Sequence, residues 1–365
     1  MKKLTLIAGA RPNFMKIAPI IHAIKSAQEK GHAISFRLVH TGQHYDKKMS
    51  GNFFEELNIP DPDANLGAGG GTQAEQTANI MLGFEKELLD NPADLVVVVG
   101  DVTSTMACAI VAQKLHVKVA HVEGGIRSND WTMPEEINRL VTDAITNYFF
   151  TTSQIANQNL LDSGVKKENI FFVGNTMIDT LLKQRPRFAQ PAIWHQLGLK
   201  KKEYIVMTLH RPANVDQESK IKDLLGEIIE HSHDTPLVFP VHPRTAKILE
   251  KLKIEHPRLH MIEPLGYLEF NYLVENSMAV ITDSGGITEE TTVMAIPCMT
   301  LRDNTERPET ITIGTNELLG TDPKSIQPAM SKLFSGEWKA GGIPELWDGK
   351  AAVRIIDKIL EFKDL

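Results

Sequence analysis

The chain has 365 residues, 42% of them hydrophobic, and a formal net charge of −7 at pH 7. That length is more than one ordinary core encloses and predicts two domains of roughly 150 to 200 residues. The acidic balance excludes a general nucleic-acid or anionic-membrane binder, while leaving room for a local basic site that takes a small anion.

The first element is a strand at residues 4–8. The opening "MKKLTLIAGARP" has lysines ahead of an apolar run, but Arg11-Pro12 ends that run too soon for a signal core. No stretch reaches the length of a membrane span, so a cytoplasmic protein with no membrane partner is expected. Further apolar runs at 34–39, 95–99, 117–122 and 148–151 read as strands, and amphipathic stretches at 16–30, 73–89 and 104–115 as helices. Runs that are apolar throughout, rather than alternating, belong to strands buried on both faces of a parallel sheet. The segment 183–196, with two prolines and no strand pattern, reads as a linker. A second series of strands follows at 204–209, 237–241, 259–262, 278–282 and 298–301, and 351–362 reads as an amphipathic helix. This βαβ repetition predicts an α/β fold of two Rossmann-like, doubly wound domains facing a central cleft. The expected boundaries are 1–178 and 179–349, with a helix at 350–365 packing back on the first domain. Cys108 and Cys298 sit in apolar contexts and are expected to be buried and reduced.

Ligands in such sheets bind beyond the carboxyl ends of the strands. There the sequence repeatedly places ionisable groups. Arg11 and Lys16 follow the first strand, Asp101 follows 95–99, and Glu123 and Arg127 follow 117–122. His210-Arg211 follows 204–209, and His242-Pro243-Arg244 follows 237–241. Ionisable groups at five strand ends are more than folding asks for and mark a catalytic site. "ITDSGGITEE" adds a strand that turns through Gly285 and Gly286 into a helix start, whose free N–H groups and dipole welcome an anion. "GAGGGT" at 67–72 lacks the Gly-Lys-Ser/Thr ending of a triphosphatase loop and reads as a surface loop. The pairs His40/His44 and His231/His233 lack a third ligand on a helical face, so no metal is expected. Neither a Gly-x-Ser-x-Gly elbow nor a Gly-x-Gly-x-x-Gly turn after the first strand is present, which argues against serine hydrolysis and a dinucleotide cofactor.

Collinear along nearly the whole chain stand "GARPNFMKIAP", "TGQHYD", "GDVTST", "HVEGGIRS", "MPEEINR", "GNTMID", "HR", "PVHPRT", "TDSGGITEE" and "RDNTERPE". In these motifs the chain resembles the non-hydrolysing UDP-N-acetylglucosamine 2-epimerases. The resemblance implies the two-domain GT-B arrangement shared with one large class of glycosyltransferases, a homodimer, a UDP-sugar substrate and no cofactor. It implies interconversion of UDP-GlcNAc and UDP-ManNAc, feeding surface polysaccharide synthesis, by elimination of UDP to a bound glycal and re-addition. C2 of the sugar has no adjacent carbonyl, so positive character at C1 as UDP departs is what acidifies its hydrogen. Inverting C2 then asks for an acid/base group toward each ring face. The matched carboxylates are Asp101, Glu123 and Glu135. Lys16 and His210 match further positions around the reacting end, His210 being suited to protonate or hydrogen-bond the departing oxygen. Arg11 and Arg307 suit bidentate phosphate contacts. By the same resemblance Ser284, Gly285 and Gly286 receive the diphosphate, Leu265 and Phe270 the uracil, and Glu290 the ribose hydroxyls, about 9 Å along the helix from Ser284. Glu289 is expected to be a solvated residue on the helix face.

The chain also departs from the family pattern. Asn13 stands where many members carry glutamate after Arg-Pro. Gln43-His44-Tyr45-Asp46 replaces the Gln-His-Arg of a second, regulatory UDP-GlcNAc site, and His210-Arg211-Pro212-Ala213 replaces its His-Arg-Arg-Glu. Gln43, His44, Arg211 and His242 are the candidates left for such a site, with the charge of Asp46 working against it. "HTGQHYD", "MPEEINR", "HPRT" and "GYLE" also resemble the branch that epimerises UDP-2,3-diacetamido-2,3-dideoxyglucuronic acid, whereas "TERPE" is the wording of the UDP-GlcNAc enzymes. A GT-B glycosyltransferase is the alternative from another class. It would need an acceptor groove and a single base, and three matched carboxylates favour epimerisation.

Overall fold

The computed structural model describes residues 1–42, 54, 56–241 and 243–365. The chain divides into two compact units, Met1–Thr180 completed by Glu345–Leu365, and Leu181–Pro344.

Among the described residues of the first unit, seven parallel strands run in the order β3-β2-β1-β4-β5-β6-β7. They are β1 Lys2–Ala8, β2 Ile34–His40, β3 Ala64–Asn65, β4 Leu95–Val99, β5 Lys118–Val122, β6 Tyr148–Thr151 and β7 Ile170–Phe172. Every residue of β4, "LVVVV", is buried, as a central strand covered on both faces must be. Helices Gln73–Asp90 and Thr103–Lys114 supply Ile80, Phe84, Leu88 and Cys108 to the core that encloses Val96 and Val98. Helix Arg11–Glu29 begins earlier than its amphipathic pattern suggests, because a proline in the first turn removes an N–H that has no intrahelical acceptor anyway. Helix Ala351–Glu361 packs beside it. Asp179 caps that closing helix, accepting from the N–H groups of Ala351 at 3.1 Å and Ala352 at 2.7 Å. Burial pushes the Asp179 carboxyl up to about 6.

The described residues of the second unit form six parallel strands in the order β10-β9-β8-β11-β12-β13. They are β8 Ile205–Thr208, β9 Leu237–Pro240, β10 Leu259–Ile262, β11 Ala279–Thr282, β12 Cys298–Thr300 and β13 Asn316–Leu318. Ile205, Met207, Phe239, Ile281 and Met299 meet Leu224, Ile228 and Met330 in one core. The stretch 183–196 is not a free linker. Helix Ala192–Gln196 holds Trp194 edge-on to Tyr204 and Tyr272, at centroid distances of 5.6 and 5.4 Å, and burial of that aromatic surface fixes the segment. Cys108 and Cys298 are both free and buried. Among the described residues, no helix is long and apolar enough to cross a membrane.

Each sheet reverses its winding once, between β1 and β4 in the first unit and between β8 and β11 in the second. Chains diverge at such a switch point and leave a crevice at the strands' carboxyl ends.

Candidate active site

In the first unit the ionisable groups gather at that switch point. Asn13, in the first turn of helix Arg11–Glu29, accepts from the N–H groups of Gly9 and Ala10 at 3.2 and 2.9 Å and donates to the Val99 carbonyl at 3.0 Å. One amide thus ties the end of β1 to the end of β4, a task a carboxylate cannot perform because it has no donor for Val99. One turn further, Lys16 Nζ donates to Glu123 Oε2 at 2.7 Å, with side-chain exposures of 12% and 1%. Gly100, at φ +69°, lies beneath this pair, and a Cβ there would stand 3.2 Å from Lys16 Nζ. Glu123 itself adopts φ +70°, an uncommon conformation for a residue with a side chain.

Asp101 follows Gly100, and its Oδ2 accepts from Arg139 Nε and Nη2 at 3.0 and 2.8 Å. Arg139 also donates to Glu136, three residues earlier on helix Pro134–Ile145. Glu136 in turn accepts from the N–H groups of Ser128 and Asn129, each at 3.0 Å. Burial raises the Glu136 carboxyl, but those donors and Arg139 outweigh it and hold the group below its ordinary value. Glu136 therefore fastens the 128–130 loop, whereas Glu135 is half-buried at the second position of the same helix. The two glutamates of "MPEEINR" differ because adjacent helical residues face different directions.

In the second unit Asp283, fully buried after β11, gathers the end of β8. It accepts from the N–H groups of His210 and Arg211 at 3.0 and 2.9 Å, from Asn214 Nδ2 at 3.1 Å, and from His210 Nδ1 at 2.7 Å. Burial raises Asp283, yet His210, Arg211 and Asn214 bring it below its ordinary value. With Nδ1 committed to this carboxylate, Nε2 of His210 is the nitrogen that can meet a ligand. Helix Gly285–Met294 starts directly after Ser284. A Cβ on Gly285 would strike Glu306 Oε1 at 2.7 Å and lie 3.5 Å from Arg302 Nη1. Arg302, 4% exposed, donates through Nη2 to Glu306 Oε2 at 2.6 Å, while its buried Nε and Nη1 have no acceptor among the described residues.

Farther along this helix Glu290 is buried and accepts from the Tyr267 hydroxyl at 2.8 Å. Burial pushes its carboxyl up to about 7, helped by Glu289 and opposed by Tyr267 and Asn271. Leu265 and Phe270 are half-buried beside the start of and within helix Tyr267–Asn276. The expectation of a solvated Glu289 is overturned. Glu289 is 1% exposed and takes the Arg307 Nε proton donor, because an isolated buried carboxylate would be too costly without a partner cation.

The model of one protein family, described as UDP-N-acetylglucosamine 2-epimerase, matches residues 26–360. The chain belongs to this family. The UDP-N-acetylglucosamine 2-epimerase of Methanocaldococcus jannaschii is 41% identical over 369 residues, covering 97% of this chain and 98% of that protein. The UDP-2,3-diacetamido-2,3-dideoxy-D-glucuronate 2-epimerase of Pseudomonas aeruginosa is 39% identical over 324 residues, 88% of each chain. The crystal structure of the M. jannaschii UDP-GlcNAc 2-epimerase in complex with UDP-GlcNAc and UDP matches with a TM-score of 0.87 at 39% identity, over 98% of this chain and 99% of that one. A lipopolysaccharide outer core galactosyltransferase, at 15% identity and a TM-score of 0.54, shares the fold alone. The α/β fold read from the sequence is thus the one found.

Among the sequence-predicted residues of this family member, Lys16, Asp101 and Glu123 share the switch point of the first unit, and His210, Ser284, Gly285 and Gly286 that of the second. Arg11 opens its helix. Gln43, His44 and His242 lie outside the described residues, and Arg211 is half-buried after β8. Sequence reasoning missed Asn13 as a tie, Asp283, Tyr267, Arg139, Glu136 and Arg302. Most stand inside quoted motifs, but their tasks depend on partners distant along the chain.

Proposed function

We propose that this chain interconverts UDP-GlcNAc and UDP-ManNAc by eliminating UDP to a bound glycal and adding it back. The observation that carries the reading is a register: Val99 of β4 pairs with Val122 of β5, so Asp101 and Glu123 leave neighbouring strand ends as an acid/base set with Lys16 beside them. Glu135 is the third member. Inversion at C2 requires a proton to leave one ring face and arrive on the other, which one base alone does not accomplish. Family membership supports the same chemistry.

In this reading the first unit carries the proton chemistry, and the second carries the nucleotide. The start of helix Gly285–Met294, from Ser284 through Gly286, offers N–H donors to the diphosphate. Arg302 adds charge there, and Arg11 and Arg307 are the further cations this reading assigns to the phosphates. His210 Nε2 meets the departing oxygen, where a donor strengthens as the bond breaks. Glu290 takes the ribose hydroxyls, and Leu265 with Phe270 the uracil. A cytoplasmic homodimer supplying surface polysaccharide synthesis completes the proposal.

The test is to incubate the protein with UDP-GlcNAc in deuterated water and follow the sugar by proton NMR. UDP-ManNAc with deuterium at C2 is the expected result. A second reading, the diacetamido-uronate substrate, is favoured by the P. aeruginosa relative, whose identity is almost equal. Exchange with that sugar but not with UDP-GlcNAc would establish it. No exchange with either would overturn the epimerase reading, and free ManNAc plus UDP would indicate hydrolysis.

A further inference from the structure

One buried carboxylate outside the proposed acid/base set grips both turns that carry it. Asp143, on helix Pro134–Ile145, is 5% exposed. Its Oδ1 lies 2.7 Å from His121 Nδ1, and His121 Nε2 lies 2.7 Å from the Gly100 carbonyl oxygen. Its Oδ2 accepts from the Gly125 N–H at 3.0 Å and from Arg127 Nη1 at 2.6 Å. Asp143 therefore holds the chain two residues before Glu123 and two residues after it. Through His121 it also holds the peptide that links Gly100 to Asp101.

The hydrogen-bond chemistry is directional. A carboxylate and a carbonyl oxygen only accept, so each of these contacts calls on an N–H of the His121 ring, and the ring spans Asp143 and the Gly100 carbonyl. His121 is fully buried and lies against the buried Asp143 carboxylate. Burial raises the Asp143 carboxyl, but His121 and Arg127 outweigh it and keep the group ionised below its ordinary range. The packing leaves no slack. A Cβ on Gly124 would approach Phe149 to 3.0 Å, His121 Nδ1 to 3.4 Å and Asp143 Oδ1 to 3.5 Å.

Glu123 at φ +70° needs such support, since a strained conformation persists only where its surroundings over-determine it. Reacting groups misplaced by about 1 Å lose on the order of 100-fold in rate. We propose that Asp143, acting through His121, is a positioning residue that fixes Asp101 and Glu123 relative to each other during the inversion at C2. This rests on the epimerase reading above.

The experiment compares Asp143→Asn and His121→Gln with the wild type, measuring kcat, KM, UDP affinity by calorimetry, and the UDP and glycal released per epimer formed. His121→Gln, which cannot donate at both ends, serves if Asp143→Asn does not fold. The expected result is a fall in kcat of at least tenfold and a larger share of released glycal. UDP affinity should stay within about twofold of wild type, because the helix start, ribose and uracil contacts belong to the second unit. Wild-type kcat with wild-type partition would overturn the proposal. So would a parallel loss of kcat and UDP affinity, which a general folding defect produces. Absence of C2 exchange in the wild type itself would overturn the epimerase reading, and the proposal with it.

Discussion

Glu289 and Arg307 form an ion pair inside the second unit, with side-chain exposures of 2% and 7%. Removing one partner strands a charge away from water, which costs about 3–5 kcal/mol. Glu289→Ala should therefore lower the denaturation midpoint markedly. The unfolding of wild type and variant in urea checks this, and equal midpoints would show that the pair carries no such weight.

Glu290 gives a pH dependence of definite sign. Its carboxyl ionises near its ordinary value in the unfolded chain and at about 7 in the folded one. Between those values the folded state holds the extra proton, so stability is full below the unfolded value and falls as pH rises through 7, by on the order of 3 kcal/mol. Glu290→Gln should remove that fall and be the more stable protein at pH 8. Ribose hydroxyls should favour the ionised carboxylate, so UDP-GlcNAc affinity should rise across the same interval. Calorimetry in an Asp101→Asn background avoids turnover, and adding Glu290→Gln should flatten the profile.

Asp101 presents one oxygen to Arg139 and keeps a side chain 28% exposed. Asp101→Asn should abolish epimerisation while UDP binds within about twofold of wild type. Turnover near the wild-type rate would remove Asp101 from the acid/base set.

Gly100 supports the same strand end at φ +69°. An alanine there meets the left-handed backbone penalty of roughly 1–2 kcal/mol, and its methyl crowds Lys16 Nζ, which pairs with Glu123. Gly100→Ala should lose about that much stability in denaturant and lose kcat as well. Full activity would show that the Lys16–Glu123 pair tolerates displacement.

The long apolar runs made most of the architecture legible. "LVVVV" at 95–99 coincides with β4, and 148–151 with β6. The strands that escaped sequence reading, β3, β7 and β13, have two or three residues each and lie at sheet edges. They exist by pairing with a neighbour, so no long apolar run announces them. At the site, residue types at strand ends were readable from local sequence. Their partners were not: Arg139 reaches Asp101 across 38 positions and Tyr267 reaches Glu290 across 23. Glu289 looked solvated because local sequence says nothing about Arg307 closing over it.

The Asp179 cap has a bearing on synthesis. Ala351 and Ala352, whose N–H groups it receives, leave the ribosome after the whole of Leu181–Pro344. Chains usually complete their leading domain first. Here the leading unit waits for residues that follow the other, which is an insertion within it. A nascent chain or a truncation ending at Pro344 should thus present a finished second unit and an unfinished first one, with the face of helix Arg11–Glu29 that meets helix Ala351–Glu361 left uncovered.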